Sequence, residues 1–177
     1  GEYYALLAIM VFGMFLMVSA IDLIMVYLAI EVVSISSFIL AGYLRNDLRS
    51  NEASLKYVIY GAFSSGIMLF GLSIVFGLAG STKFFAIQEA MWNLEGSADF
   101  AFTLATISIL AGFGYKISAV PFHFWTPDVY EGSPTSITAY LSVAPKAAGF
   151  ALIIRFFNQV FGDGASFMDP SLVTYTE

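Results

Sequence analysis

Apolar residues run along this chain in long blocks broken by short polar stretches. A bilayer core is crossed by about 20 apolar residues of α-helix. Five blocks meet that length or come close to it, at about residues 4–20, 23–43, 53–78, 101–120 and 136–157. The pattern predicts an all-α membrane protein with five transmembrane helices, in one transmembrane domain covering residues 1–177.

The polar stretches carry turn and cap chemistry. Asp22 lies in a tight turn between the first two blocks. Arg45, Asp47 and Arg49 occupy the second connection, where Ser50 or Asn51 is the expected helix cap and Glu52 falls in the favourable first turn. Residues 80–99 form a longer acidic loop, within which 84–94 predicts a short interfacial helix anchored by Trp92. Arginine and lysine in short loops set orientation. Arg45 and Arg49 place their loop in the cytoplasm, the 80–99 loop on the opposite side, and the chain start on that opposite side too.

The stretch after Lys116 breaks the pattern. Pro121 has no N–H to donate and ends or kinks the fourth helix, with Gly112 and Gly114 loosening the turns before it. Thr126, Pro127 and Asp128 predict a short helix at about 126–131, with Thr126 as cap, Pro127 first and Asp128 in the first turn. Gly132 stops it, and Ser133 and Pro134 lead into the last block. A broken helix at membrane depth is tolerated only inside protein or beside a wet cavity, and such breaks mark ion and substrate sites in transporters. Spacing alone equally allows a loop outside the membrane from Pro121 onward.

Composition removes many functions. Apolar residues make up 59% of the chain and charged residues 11%, against about 45–50% and about 25% in soluble domains. The absence of cysteine excludes disulfides, thiolate metal sites and iron–sulfur ligation within the chain. A single histidine excludes a multi-histidine metal site. No glycine-rich phosphate loop or nucleophile elbow occurs, and no basic patch suits nucleic acid. No cofactor is therefore expected in this chain. It begins at Gly1 with an apolar run almost at once, without a signal-peptide pattern, and reads as a piece of a longer protein.

The candidate chemistry lies in four ionisable residues within the apolar blocks: Glu31, Lys56, Lys116 and Lys146. Each costs roughly 2.5–3.5 kcal/mol to insert, so such residues read first as parts of proton or ion paths. Glu31 is central in its block, too deep for its short side chain to reach water, and must be paired, protonated or beside a wet cavity. Lys116 and Lys146 are also deep, and Pro145 frees a carbonyl beside Lys146. Lys56 lies near the arginine-rich end, where snorkelling explains it equally well. His123 follows the break and titrates near neutrality, although a lone histidine is more often structural. Asp128, Glu131 and Arg155 read as capping or interfacial charges, and the aromatics and methionines as packing.

The segment VPFHFWTPDVYEGSPTSITAYLSVAPKAAGF resembles the antiporter-like membrane subunits of proton-pumping NADH–quinone oxidoreductase, respiratory complex I, most nearly their subunit N group. DLIMVYLAIEVVSISSFILAGYLR and SNEASLKYVIYGAFSSGIMLFG are similar to the same group, and the likeness runs from about Met14 to Phe157. It implies about fourteen spans in the whole subunit, built on two inverted five-helix repeats, of which this chain holds the first, with its broken helix near Pro121. It implies a proton relay through Glu31, Lys56, Lys116 and Lys146, with His123 in the break, coupled to quinone reduction elsewhere. NADH, FMN, iron–sulfur clusters and quinone belong to the complex and not to this chain. The implied partners are protons, the lipid bilayer and the other membrane subunits of the complex. The implied location is the bacterial inner (plasma) membrane, with the thylakoid membrane of the plastid counterpart as alternative. Other readings are a cation/proton antiporter subunit, which differs around Trp125–Gly132, or a purely structural membrane subunit. The expected mechanism is a switchable Glu31–Lys116 ion pair, with Lys56 as competing partner and transfer through His123 to Lys146. Two charges about 4 Å apart interact by about 4 kcal/mol at an effective dielectric of about 20.

Overall fold

The computed structural model of the protein describes residues 1–91 and 96–162. Its helices are α1 (Glu2–Ser19), α2 (Leu23–Ala41), α3 (Leu48–Ala79), α4 (Phe84–Met91), α5 (Ser97–Ile117), α6 (Trp125–Gly132) and α7 (Thr135–Val160). Helices α1, α2, α3, α5 and α7 are long and apolar enough to cross a membrane. Among the described residues there is no strand beyond one isolated bridge between Asp22 and Lys83. The expected all-α, five-span architecture is the one the chain adopts.

Helix boundaries follow from which side chains take over unpaired backbone groups. Asp22 accepts the Met25 N–H at 2.9 Å and starts α2. The third span starts at Leu48 rather than at 53, because Asp47 is its cap and accepts the Arg49 N–H at 2.9 Å. The expected caps are occupied elsewhere. Ser50 is buried and donates to the Ala41 carbonyl at 2.7 Å, and Asn51 donates to the Arg45 carbonyl at 3.0 Å. Gly80 closes α3 in the left-handed region, φ 66°, where glycine pays no Cβ penalty. The short interfacial helix is present as α4, whereas its expected extension to Leu94 and the Trp92 anchor lie outside the described residues.

The five long helices close into a ring in the order α1, α2, α3, α5, α7, and α2 also touches α7 across it. Small residues set the closest approaches, as in other membrane bundles. A β-carbon at Gly71 of α3 would lie 2.6 Å from the Ala105 carbonyl of α5. The chain start shares an end with the 44–47 turn, since Tyr3 packs edge-on against Tyr43 at 5.3 Å and donates to Ser136 at 3.3 Å. This corrects the expectation that the start and the Arg45–Arg49 loop face opposite sides. Two consecutive crossings, α1 and α2, return the chain to the end it left. At the other end Asp22 pairs with Lys83 and Arg155 donates to the Ala20 carbonyl at 2.8 Å.

With 32 residues, α3 is about 48 Å long at 1.5 Å per residue, longer than a bilayer core of about 30 Å. That length lets it carry two helices end to end. Ala105 packs at Gly71, Gly112 at Met68, Tyr115 at Tyr57, Trp125 at Tyr57 and Gly132 at Arg49. Helix α6 thus resumes the path of α5 along α3. The two are halves of one broken helix packed within the protein, and not a helix followed by a free loop.

The break has its own bonding. Ser118 takes the left-handed conformation, φ 59°, and the Ala119 N–H reaches the Gly114 carbonyl at 2.8 Å. A cis Val120–Pro121 peptide follows. The first half therefore ends at Ile117 rather than at 120. The second half begins at Trp125, so Thr126 is not its cap; its N–H bonds the His123 carbonyl at 3.0 Å and its hydroxyl has no partner. Pro127 still sits in the first turn, where a missing N–H is not needed. Gly112 and Gly114 do not loosen α5. They admit neighbours closely: added β-carbons would meet Met68 at 2.6 Å and the Phe122 ring at 2.8 Å.

Candidate functional site

Lys116 lies in the last turn of α5 and is 5% exposed. Its ammonium nitrogen donates to the Ser34 hydroxyl at 3.0 Å, and Ser34 donates to the Ile30 carbonyl at 2.7 Å. Glu31 stands three residues before Ser34 on α2, a spacing that puts both on one helix face. Its Oε1 is buried without a hydrogen-bond partner among the described residues. Among the described residues no ion pair within 4.0 Å includes Glu31. The expected direct Glu31–Lys116 pair is therefore not formed. The Ser34 hydroxyl holds the amine, and the carboxylate waits one turn away. An ammonium has three donors, and among the described residues this one finds one acceptor.

Lys146 approaches from α7. Its nitrogen lies 5.3 Å from the centroid of the Tyr130 ring. The Lys116 stem packs on the same helix, with its Cγ 3.8 Å from the position of a Gly149 β-carbon. Gly149 is three residues, about 4.5 Å of helix rise, from Lys146. The Lys116 stem thus lies against α7 one turn from Lys146, while the two amines reach different partners, Ser34 and Tyr130.

Lys56 does not join them. It bonds both Glu52, one turn back on α3, and Asp128 of α6, each at 2.7 Å, on a face where its side chain is 38% exposed. The role expected for it as rival partner of Glu31 is not what the geometry gives. A recess of about 250 Å³ beside it is lined by Arg49, Glu52, Asp128 and Glu131. His123 sits in the break, its ring stacked on Phe124 at 5.0 Å and its buried Nδ1 unpartnered. Among the described residues no hydrogen bond joins it to Lys116 or Lys146.

Two groups of residues escaped the sequence reading. Ser34 is one; its signal was a hydroxyl one turn from Glu31 in an apolar helix. The other is the aromatic set around the break. Trp125 stacks on Tyr57 at 4.4 Å and donates to the Tyr115 carbonyl at 3.1 Å, while Tyr115 donates to the Tyr57 carbonyl at 3.1 Å. These contacts are packing, as expected of aromatics, but they also fasten α6 to α3 and α5. Tyr130 belongs to this set, its ring meeting Trp125 edge-on at 6.0 Å.

Known proteins resemble this chain in sequence and fold. Residues 20–168 match the family described as NADH:quinone oxidoreductase/Mrp antiporter, TM. The chain is 57% identical over 169 residues to NADH-quinone oxidoreductase subunit N 2 of Chloroherpeton thalassium, covering 96% of this chain and 33% of that protein. It is 58% identical over 156 residues to NADH-quinone oxidoreductase subunit N of Chlorobium chlorochromatii, covering 88% of this chain and 30% of that one. Its fold superposes on a chain of respiratory complex I from Thermus thermophilus, solved with bound aureothin, with TM-score 0.77 and 35% identity, covering 87% of this chain and 34% of the other. The chain spans about a third of the length of the curated relatives it matches.

Proposed function

We propose, from the premise that this chain belongs to the NADH:quinone oxidoreductase/Mrp antiporter transmembrane family, that it is one proton-translocating repeat of an NADH–quinone oxidoreductase membrane subunit. The single observation that carries the reading is Lys116: a lysine 5% exposed, bonded to one hydroxyl, one turn from a carboxylate oxygen without a partner. A merely structural lysine in a bilayer is expected to be fully paired or to snorkel. This one is left with spare donors, and a spare acceptor stands one turn along α2 from its Ser34 partner.

The steps follow from that arrangement. When the Glu31 carboxylate swings onto Lys116, the pair favours the charged amine and a proton is loaded. When it swings away, the amine keeps only a neutral hydroxyl and releases the proton. Lys146 receives it across the short interval between α5 and α7, through intervening water. His123 enters only if its ring turns from Phe124. The second repeat of the whole subunit takes the proton onward. The driving energy comes from quinone reduction in other subunits, where NADH, FMN, the iron–sulfur clusters and quinone bind; this chain supplies titratable side chains only. Its partners are then the bilayer and the neighbouring membrane subunits, in the bacterial plasma membrane, with the Arg45–Arg49 end cytoplasmic.

The test is Lys116→Met in the complete complex, reconstituted in sealed vesicles. Proton uptake driven by NADH is expected to fall at least about tenfold, the cost of removing one essential transfer group. Unchanged uptake in a fully assembled Lys116→Met complex sinks the reading. Sodium-dependent transport surviving without quinone reduction favours an antiporter instead.

A further inference from the structure

Helix α7 runs through Pro145 without interruption. Proline has no N–H, so the carbonyl four residues earlier, on Leu141, loses its helical donor. Inside a membrane such a freed carbonyl must be satisfied by a neighbour. Here the neighbour is Tyr130 of α6, whose hydroxyl donates to the Leu141 carbonyl at 3.4 Å. The same residue presents its ring to Lys146, with 5.3 Å between the ammonium nitrogen and the ring centroid. A ring face attracts a cation at that range. Among the described residues Lys146 has no ion pair and no hydrogen bond from its amine, and the Tyr130 ring is the cation contact it makes.

Tyr130 is itself held from the other direction. Its carbonyl accepts the Thr138 hydroxyl at 3.1 Å, and its ring meets Trp125 edge-on at 6.0 Å. Trp125 stacks on Tyr57 of α3, and Asp128 in the same short helix is tied to Lys56. One residue therefore links the second half of the broken helix to the proline turn of α7 and to the lysine beside it.

Resting on the relay reading above, we propose that Tyr130 is the positioning residue of Lys146: its ring holds the ammonium and its hydroxyl anchors the proline turn that carries it. Any shift of α6 about the 118–124 break then moves Lys146 relative to Lys116. The break becomes a gate on the second transfer step, and Tyr130 is its contact.

The experiment compares variants in the whole complex, reading proton uptake in sealed vesicles and assembly on native gels. Tyr130→Leu removes ring and hydroxyl together and is expected to lower uptake about fivefold, as loss of one partly desolvated cation–ring contact does. Tyr130→Phe keeps the ring and is expected within about twofold of the parent, the size of one weak hydrogen bond. A purely structural role predicts instead that uptake falls only in proportion to the assembled complex lost on the native gels. Lys146→Met is run beside them. If it abolishes uptake while Tyr130→Leu leaves uptake unchanged, the positioning role is overturned and the relay stands. If Lys146→Met leaves uptake unchanged, both fall. Should Tyr130→Leu not assemble, Tyr130→Met serves as the ringless variant. A Tyr130→Phe complex that assembles fully but pumps as poorly as Lys146→Met also overturns the proposal, since the ring alone then holds nothing.

Discussion

Lys56 and Lys116 obey the same sequence rule and end in opposite situations. Both are lysines within helices apolar enough to cross a membrane. Lys56 finds two carboxylates at 2.7 Å on a partly exposed face. Lys116 is buried and finds one hydroxyl. The difference lies in what the facing element offers. Helix α6 brings Asp128 to Lys56, while α2 brings Ser34 to Lys116 and keeps Glu31 a turn away. A fully paired cation is a fastener, because its charge is already answered. In the proposed relay, an under-paired cation near an unpartnered carboxylate serves as a switch. A charge in an apolar segment flags both and does not say which is which.

The sharpest way to break this comparison acts on Glu31. Glu31→Gln keeps size and polarity and removes the charge that Lys116 can call on. Proton uptake by the whole complex is expected to drop about tenfold, comparable to removal of a general acid–base group, with assembly unchanged. Parental uptake in Glu31→Gln erases the distinction, since Lys116 then needs no carboxylate and is as static as Lys56.

How much of this was legible in the chain depends on the range of the cause. The five spans were readable because each block of apolar residues reports its own local requirement for lipid. The break was readable from Pro121 for the same reason. Helix starts were less so: Ser50 and Asn51 are good caps in isolation, but Ser50 is drawn to the Ala41 carbonyl across the turn, which leaves Asp47 to cap α3. Glu31, Lys116 and Lys146 could be singled out as candidates because an ionisable residue within an apolar block is unusual in itself. The site was not readable at Ser34, Tyr130 or in the pairing of Lys56. Each depends on contacts between elements far apart in sequence, 82 residues in the case of Lys116 and Ser34. The likeness to complex I subunits suggested Lys56 for the relay, and the fold gives it a different neighbourhood.

Lys56 provides the next test, of intermediate size. If it is a fastener between α3 and α6, Lys56→Met alone leaves Asp128 without its cation and loosens the broken helix. Uptake is expected to fall about threefold, the modest effect of losing a partly exposed ion pair. The double variant Lys56→Met with Asp128→Leu replaces the ion pair by an apolar contact, a swap that is often neutral. Uptake is then expected to recover to within about twofold of the parent, with the two substitutions strongly non-additive. A double variant no better than Lys56→Met alone means that the ammonium itself is required. Lys56 then belongs in the relay after all.

The smallest expected effect is the most discriminating about Lys116 itself. Ser34→Ala removes the one acceptor the amine has. A hydrogen bond to a charged group is worth about 1.5–3 kcal/mol when nothing replaces it. Here Glu31 stands one turn along the same face of α2 and can take over the amine, so most of that loss is recovered. Uptake is expected to fall only about two- to threefold, equivalent to less than about 1 kcal/mol, and Ser34→Thr, which keeps the hydroxyl, is expected to match the parent. The measurement is again proton uptake by the assembled complex. A Ser34→Ala complex as silent as Lys116→Met makes the hydroxyl an obligatory carrier of the proton. Glu31 then acts on Lys116 only through Ser34, and the contrast with Lys56 becomes one between a hydroxyl relay and an ion pair, not between a switch and a fastener.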